Sequence, residues 1–436
     1  MKRKILSLFL LLCLSLGVFA QGDGYIQKNG KRIFPIGSYY LPADDAALKE
    51  MIDAGFNLFM CRSKEDLDRL QKFGAQGWIP LPLTEGVSEN LKKLVGSVAG
   101  HPALAVWEGP DEIVWSFTAN SGLYRDLKIH KSKGAWWNLS PEAVKYAKEQ
   151  SEVIMPKINN AIAYVRSVDP NNLQVWINEA GTSDMGYVNQ YLDAIDISGC
   201  DMYPIKSSQV NGGTKGRLAM HRVATLGIGK DAKRWTVTSE GKPVWMVLQA
   251  FSWHELGVPE LGVTYTTLFK NRPIAYPSFT ESRYMAYDVI ANGTRGINYF
   301  HMKFLTSNEF RESLYALTNE LNALQPFLTT DTKPIKVATY QEGKHAEAQV
   351  VGTARQYGRD WMVALVNESD TTQMSVVVEG LPHLNGHKLV ELYGEEDVIV
   401  RNGKFTTRMR PFEVKVFATS RKWEATNKKG RTYPGL

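Results

Sequence analysis

This 436-residue sequence has few cysteines and histidines, and neither sign of charge is in large excess. It contains three cysteines and eight histidines, and 51 lysines and arginines stand against 45 acidic residues. The formal net charge of +6 includes Lys2, Arg3 and Lys4, so the chain beyond residue 20 carries +3 (six minus three). This balance argues against a protein devoted to nucleic acid or to an anionic membrane surface, and no nucleic-acid partner is expected.

Long hydrophobic runs are also missing after residue 20. The apolar stretch from Ile5 to Leu14 follows three basic residues and leads through small residues to Ala20. It is too short and wrongly flanked for a membrane anchor, and residues 1–20 are typical of a secretory signal peptide. We expect an exported protein, periplasmic or extracellular, that has no membrane span, and we expect a monomer.

From residue 33 onward, short apolar runs alternate with amphipathic segments, and each kind occurs eight times. The runs predict strands at 33–39, 56–61, 78–83, 103–107, 173–178, 195–201, 243–249 and 296–303. The amphipathic segments predict helices at 44–54, 63–73, 88–99, 141–168, 186–194, 218–226, 280–292 and 306–327. Strands that are apolar throughout and alternate with helices are typical of a parallel sheet buried on both faces. Eight units predict a (β/α)8 TIM barrel over residues 21–328.

After Pro326 the pattern changes to short strands without a long helix. They are predicted at 334–340, 347–354, 360–367, 373–379, 387–393, 397–402 and 411–418. A small antiparallel β-sandwich is therefore expected over residues 329–420, and residues 421–436 form a polar tail.

The few cysteines and histidines limit the chemistry of the barrel. Cys61 and Cys200 fall at the ends of the second and sixth strands, on opposite sides of a barrel, so two buried thiols are expected instead of a disulfide. The first strand lacks a His-x-His pair, and His254 and His301 stand alone, so neither a metal nor a cofactor is expected. Glycine-rich turns for a phosphate are missing after the seventh strand, which continues into Phe251.

One stretch joins a buried strand to a cluster of carboxylates. Residues 103–112 read A-L-A-V-W-E-G-P-D-E and are preceded by Gly100-His101-Pro102. They resemble the fourth barrel strand of clan A glycoside hydrolases, whose acid/base Glu follows an Asn or Asp, and that position here is Glu112. The resemblance spans roughly residues 30 to 330 and continues at I-F-P-I-G-S-Y-Y (33–40), D-I-S-G-C-D-M-Y-P-I (196–205), K-P-V-W-M-V-L-Q-A-F (242–251) and G-T-R-G-I-N-Y-F (293–300).

The resemblance implies cleavage of a carbohydrate, but one feature of the clan is absent. Its nucleophile is a Glu that ends the seventh strand, where this chain has Leu248 and Gln249. Glycoside hydrolysis needs one carboxyl to protonate the leaving oxygen and a second to act as nucleophile or to activate water. We assign Glu112 as the acid, with Glu108 as the alternative, and Asp111 as an orienting partner.

The second carboxylate is open between two residues. Asp201 lies on the sixth strand and leads directly into Tyr203-Pro204, and Glu179 ends the fifth strand. Asp201 is placed ahead, since Glu179 is equally explained as a cap on a loop. Gln249 cannot be a nucleophile, but its amide can bind a sugar hydroxyl.

Aromatic residues in or after the strands predict a surface for sugar rings. Long loops after the fourth, sixth and seventh strands carry several of them, and such loops in compact domains are usually functional. Singly, an aromatic residue in a strand is most often core. The residues expected to bind substrate, with the polar ones included, are Tyr39, Asp111, Trp115, Trp136, Trp137, Tyr203, Gln249, Trp253 and His301.

A non-catalytic carbohydrate-binding barrel is the rival interpretation. The missing seventh-strand Glu favours it, whereas the carboxylates from Glu108 to Glu112 oppose it. The distance from Glu112 to a second carboxyl separates the two, because a partner within roughly 5–10 Å is what catalysis requires.

Overall fold

The computed structural model describes residues 22–205, 227–253, 255, 276–340, 349–369 and 371–426. The predicted signal peptide, most of the tail beyond Ala425, His254 and the predicted helix at 218–226 lie outside these residues. Among the helices of the described residues, none combines the length and the apolar character that crossing a membrane requires.

Eight parallel strands close into a barrel in which each strand pairs with the next along the chain and the eighth pairs with the first. Strands and helices alternate because each apolar run is followed by an amphipathic segment that covers it. In order, the barrel strands are Ile36–Ser38, Leu58–Met60, Gln76–Pro80, Leu104–Glu108, Gln174–Ala180, Ile197–Met202, Val244–Gln249 and Gly296–Phe300. All eight predicted strands are therefore confirmed, and so is the TIM-barrel fold.

The helices begin and end where local signals place them. Ser63 accepts a hydrogen bond from the backbone of Asp66 at one helix start, and Gly74 closes that helix with φ 68° in the left-handed region. The helices are Asp45–Asp53, Lys64–Phe73, Glu89–Val98, Ile113–Phe117, Gly122–Arg125, Gly134–Trp137, Pro141–Val168, Met185–Leu192, 227–238, Phe279–Ala291, Asn308–Ala323 and Gln325–Leu328. The helix at 227–238 was not predicted.

Large aromatic rings fill the barrel interior. Trp78, Trp176 and Trp245 are fully buried, and ring centroids of the last two lie 5.1 Å apart. An unpredicted hairpin, Ile26–Lys28 with Lys31–Ile33, packs against this cluster at the amino ends of the strands. The Trp245 indole donates to the Gly24 carbonyl at 2.8 Å. The interior is therefore a packed core.

Two antiparallel sheets follow the barrel and form the predicted sandwich. One has six strands, Thr332–Lys333, Val350–Tyr357, Asp360–Asn367, Val414–Ala418, Lys388–Glu391 and Asp397–Ile399 in spatial order. The other has three, Lys336–Tyr340, Met374–Glu379 and Lys404–Met409. Two of these nine strands, Thr332–Lys333 and Lys404–Met409, were not predicted. Apolar residues from both sheets share one core.

The sandwich is anchored to the barrel through the helix Phe279–Ala291. Arg283 of this helix donates to the Val414 carbonyl at 2.8 Å and pairs with Glu320 at 2.9 Å. The Tyr284 ring stacks on Phe412 with centroids 4.2 Å apart. These contacts attach the sandwich to one side of the barrel.

The two cysteines of the described residues, Cys61 and Cys200, are both buried and free. This confirms the prediction of two buried thiols. The barrel keeps them apart because their strands, the second and the sixth, are not neighbours in the sheet.

Candidate active site

Four acidic side chains gather at the mouth of the barrel. Glu108 ends the fourth strand, and Asp111 and Glu112 follow it after a Gly-Pro turn. Asp201 comes from the sixth strand, two strands further round the barrel. Since the carboxyl ends of parallel strands meet at one rim, residues that are distant in sequence become neighbours here.

The backbone after the fourth strand is shaped to place Glu112. Gly109 is needed because a Cβ atom there would lie 2.4 Å from Ile177 Cγ1 of the fifth strand. Glu112 itself has φ 50° and ψ 39°, and its N–H donates to the Asn178 carbonyl at 2.9 Å. A residue with a side chain adopts this left-handed conformation at a cost of about 1–2 kcal/mol. The fold thus holds a glutamate where glycine would be less strained.

The carboxyls of Glu112 and Asp201 lie within hydrogen-bond range of each other and influence each other's pKa. Asp201 is buried, whereas Glu112 is half-buried and faces the positive charge of Lys133. Burial raises the pKa of both carboxyls, and the charge of Glu112 raises the pKa of Asp201 further. Their hydrogen bond raises the pKa of Asp201 and lowers that of Glu112. The two groups titrate as a unit.

Asn178 and Tyr203 fix the position of Asp201. The Asn178 amide donates to Asp111 Oδ1 at 2.9 Å and to Asp201 Oδ2 at 3.3 Å. The Tyr203 hydroxyl donates to the same Asp201 oxygen at 3.3 Å. We did not single out Asn178 from the sequence, although a signal was present: it lies two residues after Trp176, so the period of a strand points both into the barrel.

Glu108 and Asp111 extend the group of carboxyls: Glu108 lies deeper in the barrel, and Asp111 lies further round its mouth. Glu108 accepts hydrogen bonds from the Tyr39 hydroxyl and the Trp78 indole, both at 2.8 Å. Burial raises the pKa of Glu108 to about 8, the charge of Asp111 adds to the rise, and the two hydrogen bonds oppose it. Asp111 keeps an exposed face, but crowding of its carboxyl and the charge of Glu112 raise its pKa.

Glu179 lies apart from this cluster and supports the loop behind it. The strand period turns it away from Asn178 and out of the barrel. Its carboxyl is fully buried and accepts bonds from the backbone N–H of Val114 at 2.9 Å, the Ser183 hydroxyl at 2.7 Å and the Tyr191 hydroxyl at 3.1 Å. Every one of these partners belongs to the fold, which makes Glu179 a positioning residue for the segment after Glu112. These contacts favour Asp201 over Glu179 as the second catalytic carboxylate.

Gln249 is likewise occupied by the backbone. Its amide oxygen accepts from the Ile205 N–H at 2.9 Å, and its nitrogen donates to the carbonyls of Ile205 at 2.7 Å and Phe251 at 3.0 Å. It therefore holds the end of the sixth strand, and its predicted contact with sugar would require one of these bonds to be given up. His301 is buried against the rings of Phe251 and Phe300, with 8% of its surface exposed.

The tryptophans of the segment 113–139 divide into a core residue and a surface pair. Trp136, predicted as a sugar platform, is 8% exposed and packs on Tyr187 as part of the core. Trp137 is 51% exposed, and its ring centroid lies 6.2 Å from that of the half-buried Trp115. Consecutive residues of a helix point about 100° apart, which separates the two environments.

A second aromatic group lies beside Asp201. The Tyr203 ring stacks on Phe300 with centroids 5.5 Å apart, and the Trp253 indole donates to the Tyr203 carbonyl at 3.2 Å. Tyr39 approaches the same Phe300 at 5.6 Å. The rim near the carboxyl pair is therefore lined by aromatic rings. Within the described ranges, no group of three or more His, Cys, Asp and Glu side chains is arranged to hold a metal ion.

The strain at Glu112 leads to a prediction about stability. Glu112→Gly should raise the free energy of unfolding by about 1–2 kcal/mol through backbone relief, and further because a carboxylate leaves the crowded mouth. Glu240→Gly is the matched control, since Glu240 has φ 52° but lies at an exposed turn before the seventh strand. Chemical denaturation of both variants measures the difference. Equal gains would mean that the mouth imposes no electrostatic cost on the fold.

Comparison with known proteins agrees with the architecture. No protein-family model and no curated protein matches the sequence. Among solved structures, a glycoside hydrolase family 5 protein from Bacteroides vulgatus is 13% identical, with a TM-score of 0.50 and coverage of 91% of both chains. At this identity the likeness shows the fold alone, a TIM barrel.

Other solved structures that match are also glycoside hydrolases. An alpha-amylase from Geobacillus thermoleovorans, complexed with acarbose, is 12% identical over 89% of this chain and 99% of its own, with a TM-score of 0.47. A beta-galactosidase from Marinomonas ef1 is 14% identical over 66% of this chain, with a TM-score of 0.43. This chain spans 60% of the length of that beta-galactosidase.

Proposed function

We propose that this protein is an exported glycoside hydrolase that cleaves O-glycosidic bonds of an oligo- or polysaccharide with Glu112 and Asp201. The observation that carries the proposal is that Asn178 holds both residues at the barrel mouth: its side-chain amide donates to Asp201 at 3.3 Å, and its carbonyl accepts from the Glu112 N–H at 2.9 Å. The two carboxyls lie close enough there to influence each other's pKa. Glycoside hydrolysis needs one protonated and one ionised carboxyl at the same time. A pair of interacting carboxyls that shares a single proton supplies both forms at once.

The roles follow from where the shared proton goes. Transfer of the proton from Asp201 to Glu112 along their hydrogen bond leaves Glu112 neutral and Asp201 as a carboxylate. Glu112 then donates the proton to the departing glycosidic oxygen, and the Asp201 carboxylate attacks the anomeric carbon or removes a proton from the attacking water. The place of Glu112 after the fourth strand supports this assignment, as does the burial of Asp201, which limits its approach to bulk water.

Catalysis also requires the two carboxyls to separate. A retaining mechanism places them roughly 5–5.5 Å apart and an inverting one roughly 6.5–9.5 Å apart, whereas here they touch. Asp201 is held by Asn178 and Tyr203. The longer side chain of Glu112, which is half-buried, is therefore the one that moves when a glycosidic oxygen enters between them.

Carbohydrate binding without hydrolysis is the second candidate. The observation that favours it is that the seventh strand ends in Gln249, which cannot be a nucleophile. Both the oxygen and the nitrogen of its amide are hydrogen-bonded to the backbone. The touching pair at Glu112 and Asp201 weighs against it, because a pure binding site has no need for two desolvated carboxyls in contact.

Release of reducing ends tests the proposal. The exported form of the chain is incubated with plant and host glycans, and new reducing ends are measured for the parent and for a Glu112→Gln/Asp201→Asn variant. We expect release from at least one glycan by the parent and none above background by the variant. Binding of a glycan without release by the parent would establish the second candidate in its place.

The surroundings of the pair predict a shift in pH dependence. The charge of Asp111 raises the pKa of Asp201, so Asp111→Asn should lower it and the pair should lose its shared proton at lower pH. Activity requires that proton, so the alkaline limb of the kcat/KM profile should move down by about one pH unit. Asn can still accept the hydrogen bond from Asn178, which keeps the geometry. An unchanged alkaline limb would remove Asp111 from the electrostatics of the pair.

A further inference from the structure

The segment 113–139 that follows Glu112 is rich in positive charge. It contains four lysines and arginines and a single acidic residue, Asp126. In the part of the chain that the structure describes, no partner forms an ion pair with any of these four cations: Arg125, Lys128, Lys131 and Lys133. On the outer helices, by contrast, Lys64 pairs with Asp68 at 2.8 Å and Lys92 with Glu89 at 2.7 Å.

Lys133 is the cation of this segment that faces the carboxyl pair. Its Nζ lies 4.8 Å from the centroid of the Trp115 ring, and Trp115 belongs to the short helix that starts directly after Glu112. Lys133 is exposed, and its ammonium group lies over the face of the Trp115 ring. Its charge lowers the pKa of Glu112, which places the two within electrostatic reach.

Arg125 extends the positive surface. Partial burial lowers the pKa of Lys133, the Glu112 carboxylate opposes that change, and the charge of Arg125 adds to it. Arg125 and Lys133 are therefore close enough for their charges to interact, and they form one positive surface. Beside them, the 51% exposed ring of Trp137 lies 6.2 Å from Trp115, and an exposed flat ring is suited to the apolar face of a sugar.

We propose that the substrate carries an anionic substituent, a uronate carboxylate or a sulfate ester, that binds Lys133 while a sugar ring lies on Trp137. This assignment rests on the proposed function, because it takes the mouth at Glu112 and Asp201 as the place of cleavage. Whichever carboxyls at the mouth are ionised would repel such a substrate, and the cations of the segment offset that repulsion. An anionic group close to Lys133 also replaces the charge that Glu112 gives up when it is protonated.

Paired substrates that differ in charge alone provide the test. The first pair is polygalacturonate and its methyl ester, and the second is a sulfated galactan and its desulfated form. Affinity is measured by calorimetry and cleavage by reducing-end release, for the parent, Lys133→Met and Lys133→Arg. Lys93→Met is the matched control, because Lys93 is exposed on the outer helix Glu89–Val98 and its loss changes the net charge equally.

We expect the parent to bind the charged member of one pair about 10- to 100-fold more tightly than its neutral form, as a charge-assisted hydrogen bond allows. Lys133→Met should remove that preference, Lys133→Arg should keep most of it, and Lys93→Met should leave it unchanged. Added salt should weaken the charged member alone. Which pair responds identifies carboxylate or sulfate as the group that is bound.

The two proposals fail in different ways. Equal binding of charged and neutral members by the parent, or an equal loss on both in Lys133→Met, would overturn the anionic substrate, and cleavage of neutral glycans would leave the hydrolase in place. Binding of the charged member that depends on Lys133, without any cleavage, would support the anionic ligand and contradict the hydrolase.

Discussion

Glu112→Gln is expected to lower kcat/KM on a natural glycosidic linkage by about 10²–10⁴-fold, the usual contribution of a general acid. On an aryl glycoside with a good leaving group the loss should be much smaller, because the departing oxygen needs little protonation. Asp201→Asn should instead cost about as much on both substrates, since nucleophile or base is needed whatever the leaving group. Steady-state kinetics on the two substrates separate the roles.

Glu179→Gln is the control for this experiment. Glu179 is as buried as Asp201 but accepts its hydrogen bonds from the fold, including the Val114 N–H at 2.9 Å. Its replacement should lower kcat/KM by the same factor on both substrates, and this loss should accompany any loss of thermal stability. If Glu179→Gln shows the leaving-group dependence and Glu112→Gln does not, the acid has been assigned to the wrong carboxyl.

Arg283→Met is expected to lower the free energy of unfolding by about 3–5 kcal/mol, the largest stability effect of a single substitution that we predict. The substitution leaves the Glu320 carboxylate, which is 0% exposed, without the guanidinium that contacts it at 2.9 Å. It also removes the bond to the Val414 carbonyl at 2.8 Å. Barrel and sandwich are both weakened, because the three residues come from two barrel helices and a sandwich strand.

Lys64→Met supplies the comparison in urea denaturation. Lys64 pairs with Asp68 at 2.8 Å, but both side chains are about half exposed, and surface ion pairs contribute about 0–1 kcal/mol. The hydroxyl of Tyr287 still donates to Glu320 at 2.7 Å in Arg283→Met, which is part of the reason that the fold should survive. A loss for Arg283→Met as small as that for Lys64→Met would show that the buried pair does not hold the two parts together.

The barrel was predictable because its signals are local. Each apolar run and each amphipathic segment can be recognised within about ten residues, and the strand order follows from the alternation. The capping box of Ser278 and Glu281 was also recognisable from its spacing, and the structure has both of its hydrogen bonds. Such features depend on neighbours along the chain.

The parts that sequence reasoning missed depend on partners far along the chain. The hairpin at residues 26–33 is short and gains its place from packing under Trp245. Gln249 and Glu179 carry side chains suited to a site, but they bind backbone groups of other loops. Their direction was inferable in part, because alternation along the fifth strand points Asn178 inward and Glu179 outward.

The most direct measurement is a crystal structure of the Glu112→Gln variant soaked with an oligosaccharide that the parent cleaves. The predicted result places the glycosidic oxygen within hydrogen-bond distance of residue 112 and the anomeric carbon beside Asp201, with their carboxyl groups roughly 5–10 Å apart. A sugar bound elsewhere on the barrel, or residue 112 and Asp201 still in contact beneath it, would contradict the assignment of these two carboxyls as the catalytic pair.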